Sequence, residues 1–205
     1  MNYTIAISQR VDLWSDRGEQ RDALDQRLCL WMLAAGCLPV PVPNAWGKPD
    51  DLQIWLHTIK PQGVFLSGGN DIGHITERDS TECCLLDYAR DHLLPVLGIC
   101  RGMQLMSVWA GGCLRTVEGH VRTRHRLQCL DGLLPREVNS FHNMALEECP
   151  PGFEVTGRSE DGIIEAFRHQ SLPWEGWMWH PEREEPFSQI ELARYQYLLA
   201  TREAH

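Results

Sequence analysis

One stretch limits what this chain can become: Pro95-Val96-Leu97-Gly98-Ile99-Cys100-Arg101-Gly102-Met103-Gln104. Its apolar start, Pro95 to Ile99, has the length of a buried strand. From Met103 the pattern suits a helix running to Ala110 and closed by Gly111-Gly112. Between them sits Cys100 with glycines two residues before and after it. This is the thiol counterpart of the Gly-x-Ser-x-Gly nucleophile elbow, a sharp strand-to-helix turn with no room for a Cβ near the reactive atom. The free N–H groups and positive end of the following helix favour a thiolate there. The competing reading is a buried core cysteine at a strand end.

The residues before the elbow alternate strand and helix. Tyr3–Ile7 reads as a strand ending at Ser8-Gln9-Arg10, and Gln20–Ala35 as a helix with Gly36 at its cap. Leu38–Pro43 is extended but proline-rich, which suits an edge strand. A helix near Pro49–Ile59, a strand Gly63–Ser67 ending in the turn Gly68-Gly69-Asn70-Asp71, and a helix over Thr81–His92 follow. Such alternation predicts a parallel sheet with helices on both faces. Ligands in such sheets sit at the carboxyl ends of the strands, where Arg10, Gly68-Gly69 and Cys100 all fall.

The second half reads differently. Cys113–Thr116 is a short strand, and Arg136–His142 a strand running into a loop. Gly152–Arg158 and Ile163–Arg168 form a hairpin around Ser159-Glu160-Asp161-Gly162. Gly176–Trp179 is a last strand and Ser188–Thr201 a closing helix. No linker, repeat or low-complexity segment interrupts residues 1–205, so one domain is expected.

With 19 Lys+Arg against 28 Asp+Glu the formal charge is -9, which argues against a general nucleic-acid binder. The first residues lack the basic and apolar regions of a signal peptide, and no apolar run is long enough to span a membrane. The eight cysteines contain no Cys-x-x-Cys pair. A cytoplasmic setting with free thiols is the expectation. Cys83-Cys84, adjacent on a helix, face different directions and make a poor metal pair. No Walker loop or dinucleotide fingerprint is present, so neither cofactor nor metal is expected.

Trp179-His180-Pro181-Glu182 is the second chemical signal. Pro181 favours extended backbone at His180, and residues two apart in extended chain share a side. Glu182 can then fix the tautomer of His180 and leave its other nitrogen for Cys100, the nucleophile–base–orienter arrangement. Taken alone, the same motif reads as a surface His and Glu beside a proline.

Together, Gly98-x-Cys100-x-Gly102-x-Gln104, Trp179-His180-Pro181-Glu182 and the Gly68-Gly69 turn resemble the class I glutamine amidotransferase superfamily. Val138-Asn139-Ser140-Phe141-His142 resembles the Asn-Ser-x-His stretch of its gamma-glutamyl hydrolases, including gamma-glutamyl-gamma-aminobutyrate hydrolase. Ile7-Ser8-Gln9-Arg10 and Arg21-Asp22-Ala23-Leu24-Asp25 resemble a shorter branch. That branch includes the gamma-glutamyl-CDP-amidate hydrolase of capsular polysaccharide modification. The resemblance covers nearly the whole chain. It implies a three-layer α/β/α, flavodoxin-like fold with a mostly parallel central sheet. Cys100 would be the nucleophile, His180 the base and Glu182 its orienter. The oxyanion hole would be the backbone N–H groups of Gly69 and Arg101, a donor pair worth several kcal/mol in such chemistry. Gly68, Gln104 and the Ser140-Phe141 backbone would meet the gamma-glutamyl group. Gln104 has the alternative of a helix-surface residue, and Phe141 that of a core aromatic.

The function expected from these residues is hydrolysis of a gamma-glutamyl amide through a Cys100 thioester. The partner is a small-molecule gamma-glutamyl substrate, with a homodimer left open. The alternatives are a glutaminase subunit feeding ammonia to a synthetase, and a non-catalytic or redox-sensing protein using Cys100. Arg10 and the cluster Arg122, Arg124, His125 and Arg126 offer two places for an anionic leaving group, or solvated faces.

Overall fold

The computed structural model describes residues 3–48, 50–129 and 132–201. Strand β1 (Tyr3–Ile7) is followed by a hairpin of β2 (Arg10–Trp14) and β3 (Glu19–Ala23), then helix α1 (Gln26–Ala34) and strand β4 (Cys37–Pro41). Next come α2 (Asp51–Ile59), β5 (Gly63–Leu66), α3 (Thr76–Asp91), β6 (Val96–Ile99) and α4 (Arg101–Trp109). The second half runs through β7 (Leu114–Thr116), β8 (Val121–Cys129), β9 (Glu137–Phe141) and β10 (Met144–Leu146). It ends with β11 (Phe153–Ser159), β12 (Ile164–His169), β13 (Trp174–Trp177) and α5 (Gln189–Ala200).

A nine-stranded sheet in the order β4-β1-β5-β6-β13-β12-β11-β8-β9 forms the centre. From β4 to β13 the pairs are parallel; from β13 outward they are antiparallel. The parallel strands β5 and β6 are buried at every position, the mark of a sheet covered on both faces. Alternation along them separates two cores. Val64, Leu66 and Val96 face one side with Leu52, Leu86 and Met106, contributed by α2, α3 and α4. Phe65, Leu97 and Ile99 face the other with Trp31, Met32, Tyr195 and Leu198 of α1 and α5. This is the three-layer α/β/α arrangement. Trp31 stacks on Tyr195 at 5.3 Å between ring centroids and meets Trp177 edge-on at 6.4 Å, which joins both helices of that layer to the sheet.

β4 sits at the sheet edge, as its prolines require. Three expectations need correction. Gln20–Ala23 is a strand, not the first turns of a helix. The β2–β3 hairpin turns at Gly18 (φ +65°), and α1 starts only after Asp25, whose carboxylate accepts from the Arg27 N–H at 2.8 Å. Helix α3 starts at Thr76 rather than Thr81, because buried Arg78 and Glu82 occupy places where an apolar period would show. The basic run from Val121 is itself a strand, β8, paired with β9 and β11. The helix expected near Pro49 begins at Asp51; Pro49 lies outside the described residues. Among the described residues no helix is long and apolar enough to cross a membrane, and all eight cysteines are free thiols.

Candidate active site

Strand order creates the site. β5, β6 and β13 are neighbours and parallel, with Leu66 beside Gly98 and Ile99 beside Trp177. Their carboxyl ends therefore bring Gly68-Gly69, Cys100 and His180 to one place.

Cys100 stands between β6 and α4 at φ 49°, ψ −111°, a strained backbone for a residue with a side chain. Its N–H donates to the Trp177 carbonyl at 2.7 Å, which pins the elbow to β13. The flanking glycines are compelled by contact. A Cβ on Gly102 would collide with the Leu66 carbonyl oxygen, and one on Gly98 would lie 2.7 Å from the Gly102 carbonyl carbon. A Cβ on Gly68 would fall 2.8 Å from His180 Cε1, 3.6 Å from its Nε2 and 3.7 Å from Cys100 Cβ. The histidine ring and the cysteine thus face one point beside the glycine turn.

His180 Nδ1 donates to Glu182 Oε1 at 2.7 Å, which leaves Nε2 on the cysteine side. The backbone of His180 is clamped by Asn139: Oδ1 accepts from the His180 N–H at 3.0 Å, and Nδ2 donates to the His180 carbonyl at 2.8 Å. Burial alone would depress the imidazole, but Cys100 and then Glu182 outweigh it and hold its pKa at about 9. His180 is therefore a cation at neutral pH. Burial pushes the Cys29, Cys83, Cys84 and Cys149 thiols up, and Cys37 to about 12. Those five are poor nucleophiles at neutral pH.

A buried ionic network fixes the glycine turn to the elbow. Arg78 donates to the Ser67 carbonyl at 2.8 Å, the Gly68 carbonyl at 2.9 Å and Glu82 Oε1 at 3.0 Å. The Arg101 side chain, also buried, binds Glu82 and Asp79. Gly69 takes φ +122° and lies under Arg10 and Arg78, where a Cβ would approach both within 3 Å. Sequence reading missed Arg78, Asp79 and Glu82, and it quoted Asn139 only as part of a motif, without its clamp on His180. The only trace is the i,i+4 spacing of Arg78 and Glu82 on α3.

The remaining expected site residues divide. Gln104 is buried, not on a helix surface, and donates to the Met144 carbonyl at 2.9 Å. Ser140 is buried, its hydroxyl donating to the His120 carbonyl at 2.7 Å. Phe141 is no core aromatic. It is 37 % exposed, meets His180 edge-on at 5.9 Å and carries the Arg183 guanidinium 4.3 Å above its ring. Arg10, 3.1 Å from Asp12, lines a small cleft with Gly68, Gly69, His180, Glu182 and Arg183. The basic cluster does not act together. Arg124 is held by Glu137 at 2.6 Å and Glu184 at 3.0 Å, Arg126 lines a separate hollow, and His125 packs against His120.

Fold and site define an α/β/α protein of the cysteine-elbow type. The chain belongs to the glutamine amidotransferase class-I family, whose model matches residues 32–192. It is 30 % identical to gamma-glutamyl-CDP-amidate hydrolase of Campylobacter jejuni over 155 residues, covering 73 % of this chain and 75 % of that one. It is 28 % identical to gamma-glutamyl-gamma-aminobutyrate hydrolase of Escherichia coli O157:H7, covering 81 % of both. The glutamine-hydrolyzing GMP synthase subunit of Thermococcus kodakarensis is 33 % identical over 62 % of this chain and 69 % of its own. A crystal structure from Thermoplasma acidophilum, provisionally assigned as a GMP synthase subunit, superposes with a TM-score of 0.75 at 22 % identity. It covers 98 % of this chain and 96 % of that one.

Proposed function

We propose that this protein is a cysteine hydrolase that cleaves a gamma-glutamyl amide through a thioester on Cys100. The observation that carries the reading is a cysteine on a strained elbow beside a buried His180 whose other nitrogen is held by Glu182 at 2.7 Å. In this reading Cys100 Sγ attacks the amide carbon. The developing oxyanion is met by the N–H groups of Gly69 and Arg101. Protonated His180 gives its Nε2 proton to the leaving nitrogen, and the C–N bond breaks. His180 then takes a proton from water, whose attack on the thioester releases glutamate and the free thiol. Gln104 and the Ser140-Phe141 backbone would receive the glutamyl group, as the family resemblance implies.

The leaving group we propose is anionic, a nucleotide-linked phosphoramidate such as the CDP-amidate of the Campylobacter jejuni relative. Arg183, stacked on Phe141, and Arg10, which also pairs with Asp12, line the cleft beside His180 together with Asp25 and Glu182. Purified enzyme is expected to show higher kcat/KM for gamma-glutamyl-CDP-amidate than for gamma-glutamyl-gamma-aminobutyrate or glutamine. Arg183→Glu should raise KM chiefly for the nucleotide substrate. Arg124→Ala should leave the preference alone, because that side chain is already paired with Glu137 and Glu184. Equal reaction of the three substrates would rule out the anionic leaving group. The likeness to the GMP synthase relative favours a second reading, a glutaminase subunit supplying ammonia to a synthetase. Glutamine would then be the best substrate, and turnover by the isolated chain would be slight.

Acid–base behaviour gives a further expected result. The reading needs His180 protonated for amine departure, so kcat/KM should fall as pH rises through about 9. The same interactions raise the folded-state value above the ordinary 6.5, so their contribution to stability is full below 6.5 and is lost through about 9. Glu182→Gln removes one of the groups that raise it. The alkaline limb should then move to lower pH while part of the activity survives. An unmoved limb would show that Glu182 does not act on His180.

A further inference from the structure

A second cluster of histidines lies outside the Cys100 site, where the antiparallel strands meet. Glu165 on β12 is fully buried, and neither carboxylate oxygen receives a hydrogen bond among the described residues. An unbalanced buried carboxylate is costly, by several kcal/mol even after relaxation. His120 Nδ1 lies 3.3 Å from Glu165 Oε1, and His142 Nε2 lies 3.5 Å from the same oxygen. The far nitrogen of each ring is already committed. His120 Nε2 is 2.9 Å from Asp161 Oδ2, and His142 Nδ1 is 3.0 Å from the Met144 carbonyl. A carboxylate and a carbonyl only accept, so both far nitrogens carry the protons. In neutral rings the near nitrogens are bare lone pairs aimed at a carboxylate that is itself an acceptor, a clash that a proton or a metal cation between them relieves. A third ring, His125 on β8, packs on His120 at 4.1 Å, with its buried Nε2 unpartnered among the described residues. One ligand atom each from His120, His125 and Glu165 lies within 4.8 Å of the others.

We propose that His120, His125 and Glu165 bind a zinc ion. Acceptors converging without protons between them are what a cation satisfies. Two imidazoles and one carboxylate suit zinc rather than the all-oxygen shells of calcium or magnesium. Tetrahedral zinc with bonds of about 2.0–2.1 Å separates its ligand atoms by about 3.3 Å. The separation from Glu165 Oε1 to His120 Nδ1, 3.3 Å, matches that edge. The outer contact fits as well: metal-bound histidines usually donate their second nitrogen to a carboxylate or backbone carbonyl, as His120 does to Asp161 here. Asp161 is itself held by the Ser159 hydroxyl at 2.5 Å. Three protein ligands leave one tetrahedral position for water. The ion ties β8 and the residue before it to β12. The His120 carbonyl accepts from both the Ser140 hydroxyl and the His142 N–H, so the ion stiffens the loop that carries Ser140 and Phe141. Spacing along the chain hides this set, because its members come from separate segments and Cys83-Cys84 draws attention elsewhere.

The test is metal content. Full-length protein loaded with zinc sulfate and passed over chelating resin is expected to retain one zinc per chain by plasma mass spectrometry. X-ray absorption at the zinc edge should show nitrogen and oxygen neighbours only, a measurement on the unaltered protein that no variant's folding can confuse. Asp161→Asn should weaken zinc affinity roughly 10–100-fold, as loss of an orienting partner does. Glu165→Gln should lose retained zinc, whereas Cys113→Ser should keep it. Zinc-free protein after loading, sulfur neighbours in the absorption spectrum, or full retention in Glu165→Gln would overturn the proposal.

Discussion

Cys100→Ala is expected to abolish hydrolysis of gamma-glutamyl amides, with kcat/KM falling by at least about four orders of magnitude, while the protein stays folded. The loss should be that large because every covalent step of the proposed cycle passes through Sγ. The fold should survive because the elbow is shaped by Gly98, Gly102 and the bond from the Cys100 N–H to Trp177, none of which uses the thiol. Circular dichroism and the unfolding midpoint check the second half of that statement. A Cys100→Ala protein with turnover above roughly one part in a hundred of wild type would point to a different nucleophile.

Glu82→Ala is expected to cost about 3–5 kcal/mol of stability, because it leaves buried Arg78 with no carboxylate partner and buried Arg101 with Asp79 alone. Glu82 sits between Arg78 and Arg101, and all three side chains are essentially removed from water. Urea unfolding measures the loss, and a change under about 0.5 kcal/mol would show the network to be inert, since surface substitutions stay within that range. Arg78→Lys separates stability from catalysis. It keeps the charge but loses the fork that grips the carbonyls of Ser67 and Gly68. Folding should persist while kcat falls, because the Gly69 N–H is no longer held in place.

What could be read from the chain follows from locality. Gly98-x-Cys100-x-Gly102 and His180-Pro181-Glu182 are contiguous, so their chemistry survives as spacing. Buried parallel strands such as Gly63–Leu66 are visible because every residue is apolar. The β2–β3 hairpin is illegible because β3, Glu19-Gln20-Arg21-Asp22-Ala23, is largely exposed and has no apolar alternation. The start of α3 is hidden by Arg78 and Glu82, charged residues that take core places only because they pair with each other and with Arg101. In sequence Arg124 counts as free charge; in the fold it faces Glu137 on the neighbouring strand and Glu184 beyond the His180 turn. The proposed zinc ligands are illegible for the same reason, since strand pairing rather than spacing assembles them.

The central claim is that Cys100 carries a glutamyl thioester, and direct trapping tests it. Protein incubated with a gamma-glutamyl amide, quenched in acid and mapped by mass spectrometry should carry a glutamyl adduct on the Cys100 peptide alone. Exposed Cys113 serves as an internal control for indiscriminate reactivity. The account predicts an adduct that vanishes in Cys100→Ala and accumulates when acid quenching interrupts turnover. An adduct on Cys113 or Cys83, or turnover with no adduct on Cys100, would contradict it.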